Sequence, residues 1–292
     1  NQIAVRELFS QMMSISRKYQ YSILAEHGRS AKLGFEQLDR LPVEGVRVVH
    51  QGVEGAYSHA AAIQYFGRDA EIYHVMPIEN SSAGAVIDMY DLLTRYDNYI
   101  VAETFLPVNH ALLGVPGARL SDVKTVFSHP QALMQCSVFL NDNGLKQISV
   151  ENTAVAAKRV VKEGDKSQAA IASEIAGQLY GLELLKPSIQ NNQGNTTRFV
   201  ILANRKVYQK AAGKISLCFE LPHTSGSLYN MLGNFIFNHV NMIMIESRPI
   251  PGKNWEYRFF VDIEGNLQDA GVQNALRGIG TEAQNFKILG NY

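Results

Sequence analysis

Asn195-Thr196-Thr197-Arg198-Phe199-Val200-Ile201-Leu202 runs out of a polar Gln-Asn-Asn-Gln-Gly loop into an apolar, β-branched stretch. Such a run reads as a strand entered from a turn. Two hydroxyls and a guanidinium therefore sit at its start on rigid backbone, facing a crevice. Arg198 offers a planar fork of donors matched to a carboxylate, and the Thr197 hydroxyl both gives and accepts a hydrogen bond. The arrangement suits a small anion. Taken alone, the stretch reads first as a surface arginine at a strand start, so the surrounding sequence has to decide.

Upstream, short β-branched runs alternate with helical ones. Strand-like segments are expected at 46–50, 72–76, 99–105, 108–113, 124–128, 147–150, 169–172 and 196–202. Helical segments are expected at 58–66 (closed by Gly67), 84–96, 130–140, 153–162 and 173–180. This alternation argues for an α/β domain with a largely parallel sheet. Two such groups imply two lobes with a cleft between them, beyond the carboxyl ends of the strands. Ahead of them, Leu8, Met12, Ile15, Tyr19 and Ile23, flanked by Phe9 and Leu24, form a helical apolar stripe. A linker with Gly28 and Gly34 follows, spanning 26–40. After a second linker at 206–214 the order becomes strand 214–221, helix 227–238, strand 241–249, strand 256–263, helix 267–277, strand 286–289. That is the order of a ferredoxin-like split βαβ unit.

With 292 residues, formal net charge zero and 46% apolar content, the chain has room for about two domains and lacks the basic surface that non-specific nucleic-acid binding requires. Cys136 and Cys218 lie in apolar surroundings without metal-ligand spacing and read as buried thiols in a reducing compartment. No secretory leader opens the chain, and no apolar run approaches the ~20 residues of a membrane span. A cytoplasmic protein is expected, with no nucleic-acid or membrane partner. The first residue, Asn1, is not Met, which suggests a processed protein or a piece of a longer one.

Three strand-to-helix turns carry the remaining candidates. Gly52-Val-Glu-Gly-Ala-Tyr-Ser58 combines two glycines with Ser58 as an expected N-cap exposing helix amides to an anion. It lacks the glycines of a dinucleotide fingerprint. Pro77-Ile-Glu79-Asn80-Ser81-Ser82 places small polar side chains at a second helix start. Glu79 would repel an anion there, so it is read as holding a neighbouring side chain. In Ser128-His129-Pro130-Gln131, Pro130 takes the first helical position, and the helix N-terminus favours neutral His129. His110, in Asn109-His-Ala-Leu112, is a further candidate. No nucleophile elbow, HExxH or CxxC occurs, so covalent and metal mechanisms have no support, and no metal or cofactor is expected.

Gly52-x-x-Gly-Ala-Tyr-Ser58, Pro77-Ile-Glu-Asn-Ser81, Asn109-His-Ala-Leu112, Ser128-His-Pro-Gln-Ala132 and Asn195-x-Thr-Arg-Phe199, in this order, resemble prephenate dehydratase. Gly226-Ser227-Leu228 and Glu246-Ser247-Arg248-Pro249 resemble the two effector motifs of an ACT regulatory domain. The resemblance covers roughly 46–292. It implies a two-lobed catalytic domain at 42–207, like a type II periplasmic binding protein, and an α+β ferredoxin-like ACT domain at 213–292. It also implies an N-terminal helix and linker at 1–41 similar to the last helix of a chorismate mutase, where Gln20 would match an active-site glutamine. The cationic helices for chorismate are absent from this sequence, so no mutase activity is expected of it.

The implied catalytic residues are Thr197, Arg198, Phe199 and His129, with Ser58, Glu79, Asn80, Ser81, His110, Ser128 and Gln131 around the substrate. Arg198 would grip a carboxylate of prephenate and Thr197 would assist the leaving hydroxyl. Phenylalanine would be the effector at Gly226, Ser227, Leu228, Glu246, Ser247, Arg248 and Pro249, in a homodimer or homotetramer joined through ACT domains. Two departures stand out. Asn191 and Asn192 replace the acidic residue frequent before the Thr-Arg-Phe stretch, and Ser227 replaces the usual Ala of the first effector motif. Arogenate dehydratase and a non-catalytic solute sensor are the competing readings.

Overall fold

A computed structural model of the protein describes residues 2–26, 33–42, 47–66 and 73–292. The expected Gly28, the strand start at Val46, the helix stop at Gly67 and the strand start at Ile72 lie outside the described residues. In chain order the elements begin α1 (Gln2–Glu26), β1 (Glu36–Leu38), β2 (Val48–His50), α2 (Tyr57–Phe66), β3 (Tyr73–Asn80), β4 (Gly84–Ala85), α3 (Ile87–Arg95), β5 (Tyr99–Pro107) and β6 (Ala111–Gly114). They continue β7 (Thr125–Ser128), α4 (Pro130–Gln135), α5 (Ser137–Asp142), β8 (Lys146–Ser149), α6 (Thr153–Glu163), β9 (Gln168–Ala172), α7 (Glu174–Tyr180) and β10 (Glu183–Lys186). The last are β11 (Thr196–Ala203), β12 (Val207–Gln209), β13 (Lys214–Glu220), α8 (Ser227–Ile236), β14 (Met242–Pro249), β15 (Tyr257–Glu264), α9 (Ala270–Glu282) and β16 (Gln284–Asn291).

Contacts divide the chain into two compact units that are not consecutive in sequence: Pro42–Met89 with Glu103–Leu202, and Asn1–Leu41 with Tyr90–Ala102 and Ala203–Tyr292. In the first unit, one sheet has the order β10-β6-β9-β7-β8. Its β7 pairs parallel with β8 and β9, whereas β6 pairs antiparallel with β9 and β10. The sheet is therefore mixed, not largely parallel as expected. The sequence pattern missed β10, a four-residue run whose alternation is too short to score. Ala154, Ala156, Ala157 and Val160 of α6 are fully buried, as are Ala169 to Ala172 of β9. Small side chains on both elements let the helix lie close on the sheet, around Phe127. The same unit holds β2 parallel to β3, and β3 antiparallel to β11. The register of β3 against β11 shifts between Arg198 and Phe199, where Pro77 sits. A bulge is where a strand tolerates a residue without an N–H.

The expected helix 130–140 is two short helices that share Cys136 as the cap between them. The expected helix 84–96 is a bridge, β4, followed by the shorter α3.

In the second unit the strand order β14-β15-β13-β16, with α8 and α9 between strands, is that of the expected split βαβ arrangement. Ile215, Leu217 and Phe219 of β13 alternate inward against Met231 and Phe235 of α8 and Leu276 and Ile279 of α9. Both segments read as linkers contribute a strand, β1 and β12, and these pair in parallel with Glu36 opposite Val207. Gly290 of β16 lies opposite Ile100 of β5, and a Cβ there would come within 2.0 Å of the Ile100 carbonyl oxygen.

Gly290→Ala should thus cost about 1–3 kcal/mol, the usual range for overpacking. Gly280→Ala, on an exposed turn of α9 with its nearest neighbour at 3.6 Å, should instead gain about 0.5–1 kcal/mol of helix propensity. Urea unfolding of the two variants beside the parent checks the contrast, and equal midpoints would refute the close approach.

Candidate active site

A cleft of about 450 Å³ opens in the first unit, bordered by the ends of β3, β11 and β6 and by the starts of α2, α4 and α6. Strand alternation decides what β11 shows it. Thr197 and Phe199 line the cleft, and Arg198 between them does not. The Arg198 side chain is 8% exposed, its Nε donates to Glu103 Oε2 at 2.7 Å, and its Nη1 lies 3.6 Å from Glu79 Oε2. The expectation that Arg198 faces the crevice to grip a ligand carboxylate is therefore corrected: its carboxylate partners are two glutamates of neighbouring strands. Glu79 takes the holding role that its awkward charge suggested.

The remaining expected residues divide between wall and support. Ser58, Asn80, His110, His129 and Gln131 line the cleft with Thr197 and Phe199. Ser58 is not the N-cap of α2, because the helix begins one residue earlier at Tyr57; its hydroxyl donates to the Gln51 carbonyl. His129 is the cap of α4, and its Nδ1 accepts the Gln131 amide at 3.2 Å. Nε2 of that ring consequently carries the proton in the neutral form. Ser128 is fully buried and donates to the Ile171 carbonyl at 2.7 Å, and Ser81 accepts the Thr196 amide at 2.9 Å. Neither is among the residues that line the cleft. Both brace the turns that carry it.

His110 is 2% exposed, with Nε2 2.9 Å from Gln135 Oε1 and Nδ1 3.1 Å from the Tyr57 hydroxyl. Burial lowers its pKa, only partly opposed by the hydrogen bond to Gln135. Burial likewise pushes the Tyr57 phenol far up, with a smaller push from Cys136, so Tyr57 stays protonated. Its hydroxyl also lies 2.8 Å from the Asn109 carbonyl.

Sequence reasoning missed Tyr57, Gln135 and the Glu151-Asn152-Thr153 turn, all of which line the cleft. The turn could have been found by the logic used elsewhere: a strand ends at Ser149, and Asn152 caps the next helix by accepting the Val155 amide at 2.8 Å. Gln135, one helical turn beyond Gln131, had no such signal. Among the described residues the lining contains no Lys or Arg. An anion there meets helix N-termini and neutral donors instead, beside an apolar patch of Pro77, Val86, Val108, Ala132 and Phe199.

A family model for prephenate dehydratase matches residues 71–207. The arogenate dehydratase/prephenate dehydratase 1 of Arabidopsis thaliana is 38% identical over 281 residues, covering 85% of this chain and 72% of that one. The bifunctional chorismate mutase/prephenate dehydratase of Escherichia coli K12 is 34% identical over 315 residues, covering 99% and 78%. Among solved structures, prephenate dehydratase from Arthrobacter aurescens in complex with L-Phe superposes with a TM-score of 0.77 at 26% identity, covering 84% and 89%. GqqA, described as a novel type of quorum-quenching acylase, also superposes with a TM-score of 0.77, at 31% identity over 84% and 97%.

The buried, depressed His110 ties stability to pH. Above the ordinary histidine pKa of ~6.5 both the folded and unfolded chains leave it neutral. As pH falls below that value the unfolded chain takes a proton that the folded chain refuses, so stability is lost toward the depressed folded value. Urea midpoints should drop between about pH 7.5 and 5.5, and drop less in His110→Gln. His59, also lowered by burial, keeps some slope in that variant. Parallel pH dependences for parent and variant would rule out this linkage.

Proposed function

The chain belongs to the prephenate dehydratase family, and from that membership we propose how its cleft performs the decarboxylative dehydration of prephenate to phenylpyruvate in phenylalanine biosynthesis. The enzyme is a carbon–oxygen lyase. The ring C–O bond breaks with its electron pair on the departing hydroxide, the C–CO₂⁻ bond supplies its pair to the ring as carbon dioxide leaves, and the ring becomes aromatic. A proton from solvent completes the water. The protein has to bind a dianion, ease hydroxide away and keep the departing carboxylate poorly hydrated.

The observation that carries the assignment is that β11 presents the Thr197 hydroxyl and the Phe199 ring side by side in one cleft with His129, His110, Gln131 and Asn80. Thr197 hydrogen-bonds the leaving hydroxyl as charge develops on it. His129, its Nδ1 occupied, offers Nε2–H to the same oxygen or to a carboxylate. The side-chain carboxylate is held at the helix starts of α2 and α6, with Ser58 shaping the first of these turns. Phe199, Pro77, Val86 and Val108 give the ring carboxylate a dry seat, which favours its loss as neutral carbon dioxide. Arg198 acts through structure, clamping β11 with Glu103 and Glu79. An acylase reading, as described for GqqA, finds little support here: the hydroxyls of Ser58 and Ser128 are donated to main-chain carbonyls.

Residues 213–292 are read as an ACT domain that binds phenylalanine, residues 42–207 as the two-lobed catalytic domain, and residues 1–41 as the remnant of a chorismate mutase-like domain. The split βαβ strand order supports the first of these assignments. So does a recess of about 400 Å³ lined by Pro222, Thr224, Ser227, Leu228, Tyr257 and Phe259. Gly226, at φ 83°, caps α8 beside it. Glu246, Ser247, Arg248 and Pro249 are not among the lining residues; they lie on β14, next to the strand that forms the wall. Exposed Ile243 and Ile245 on β14, with Tyr229 and Ile236 of α8 and Phe237 at its C-cap, support association of copies through this domain. A cytoplasmic placement belongs to the same reading; no described helix is long and apolar enough to cross a membrane.

Purified chain should form phenylpyruvate from prephenate faster than it forms phenylalanine from arogenate. Thr197→Val should lower kcat about 10²–10³-fold, as removal of an oxyanion donor does. Full turnover in that variant would eliminate the Thr197 assignment, and a preference for arogenate would reassign the substrate. Phenylalanine should bind by calorimetry and inhibit. Ser227→Tyr, which fills the recess, should abolish both while basal turnover persists; inhibition that survives this change would place the effector elsewhere.

A further inference from the structure

Asn80 sits opposite Thr197 across the β3–β11 pair, and its amide is locked in one orientation. Its Oδ1 accepts the main-chain N–H groups of Ser82 and Ala83, both at 3.0 Å. Main-chain amides only donate, so the Asn80 oxygen must face them and the flip of this side chain is settled by the backbone. The Nδ2 group then points the other way, at Thr197 Oγ1 (2.8 Å) and Asn195 Oδ1 (2.8 Å). Asn195 pays for this: it is 2% exposed, and with its oxygen turned to Asn80 its own Nδ2 has no partner among the described residues. A buried donor without a partner is rare and unfavourable, so the orientation of Asn195 is imposed by Asn80 and not by its own bonding.

A threonine hydroxyl has one proton to give. Among the described residues its partner is the Asn80 N–H, which occupies Oγ1 as an acceptor. The Thr197 proton is thereby directed away from Asn80, on a side chain that lines the cleft. We propose that Asn80 is a positioning residue that fixes the polarity of Thr197, holding its hydroxyl as a donor toward the departing oxygen, with the Ser82 and Ala83 amides orienting the Asn80 side chain and Asn195 accepting its second N–H. This rests on the reading of Thr197 as that donor. It differs from a role for Asn80 as a simple substrate ligand, because the effect passes through Oγ1.

Asn80→Asp separates the two roles. The carboxylate keeps the size of the amide and still accepts the Ser82 and Ala83 amides, but its second oxygen accepts where Nδ2 donated. The Thr197 proton then turns inward, while the Asn195 amide rotates to donate its orphaned N–H. The expected result is a kcat at least about tenfold lower at neutral pH, in line with loss of one transition-state donor, with a urea midpoint equal to or above the parent's. As pH is lowered, protonation of the introduced carboxylate should restore a donor to Oγ1, and relative kcat should recover. The added charge alone would act mainly on KM. In the Thr197→Val background, which has no hydroxyl to orient, Asn80→Asp should lower kcat no further, within about twofold, as expected for residues that act as a unit. Multiplicative losses in the double variant, or an unchanged kcat in Asn80→Asp, would overturn the proposal. A fully active Thr197→Val would instead overturn the reading of Thr197 itself.

Discussion

The two-residue period of β11 is the constraint on which the site depends. Because neighbouring side chains point to opposite faces, Thr197 and Phe199 share the cleft and Arg198 has to lie behind it. The guanidinium reaches Glu103 on β5 and Glu79 on β3. A buried arginine between carboxylates of two other strands is costly to disturb, since removing either partner leaves charge without compensation. The hydroxyl proposed to act in catalysis thus stands on a strand whose reverse face is pinned by ions, and its rigidity follows from the residue that the motif appeared to offer to the ligand.

That placement changes how the cleft must handle a dianion. Guanidinium contacts would bind both carboxylates strongly, but a cation on the carboxylate that is to leave would stabilise the bound substrate more than the transition state, in which its charge is disappearing. Helix N-termini give a gentler field, typically about 0.3–1 kcal/mol each, and side-chain donors such as Gln131 and His129 add direction. In the proposed mechanism carbon dioxide leaves beside Pro77, Val86 and Phe199, the apolar part of the lining. Weak binding groups and an apolar seat work in the same direction.

Much of this was legible in the sequence because local chemistry coincided with tertiary outcome. The Gly52–Ser58 turn and the Pro130 helix start lie at the cleft, since a strand end followed by capping residues brings helix amides to one edge of a sheet; the 77–82 stretch, expected at a helix start, is instead the end of β3 and its turn into β4, and it reaches the cleft through Pro77 and Asn80. The run 214–221 reads as a strand, and β13 forms there with Ile215, Leu217 and Phe219 in the core. What failed depended on distant partners. The side to which Arg198 points needs the register of β11 against β3, and the mixed pairing of β6 needs a partner, β10, that comes much later in the chain. Ser58 and Ser128 carry the hydroxyls expected of ligands, yet Gln51 and Ile171 present carbonyls to them, and no sequence pattern reports a carbonyl's direction. Tyr57 and Gln135 were passed over because an aromatic and an amide within helices look like packing until His110 is found between them.

The same distinction between touching a ligand and holding the group that does applies to the second unit. Arg248, in the Glu-Ser-Arg-Pro stretch, bonds Asp91 of α3 at 3.3 Å, and Arg258 of the adjacent strand joins Thr94 of α3 at 3.0 Å and buried Glu220. Lys287 of β16 caps the same helix end, donating to the carbonyls of Leu93 and Tyr96. Cations at a helix C-terminus complement its dipole, so three strands grip one helix end through charge as well as packing. Ser247 and Pro249 stand opposite Phe259 and Tyr257, whose rings line the recess proposed for the effector. The stretch therefore bears on that recess through the strand it supports and through the ion pair that anchors it, in the way Arg198 bears on the cleft through β11.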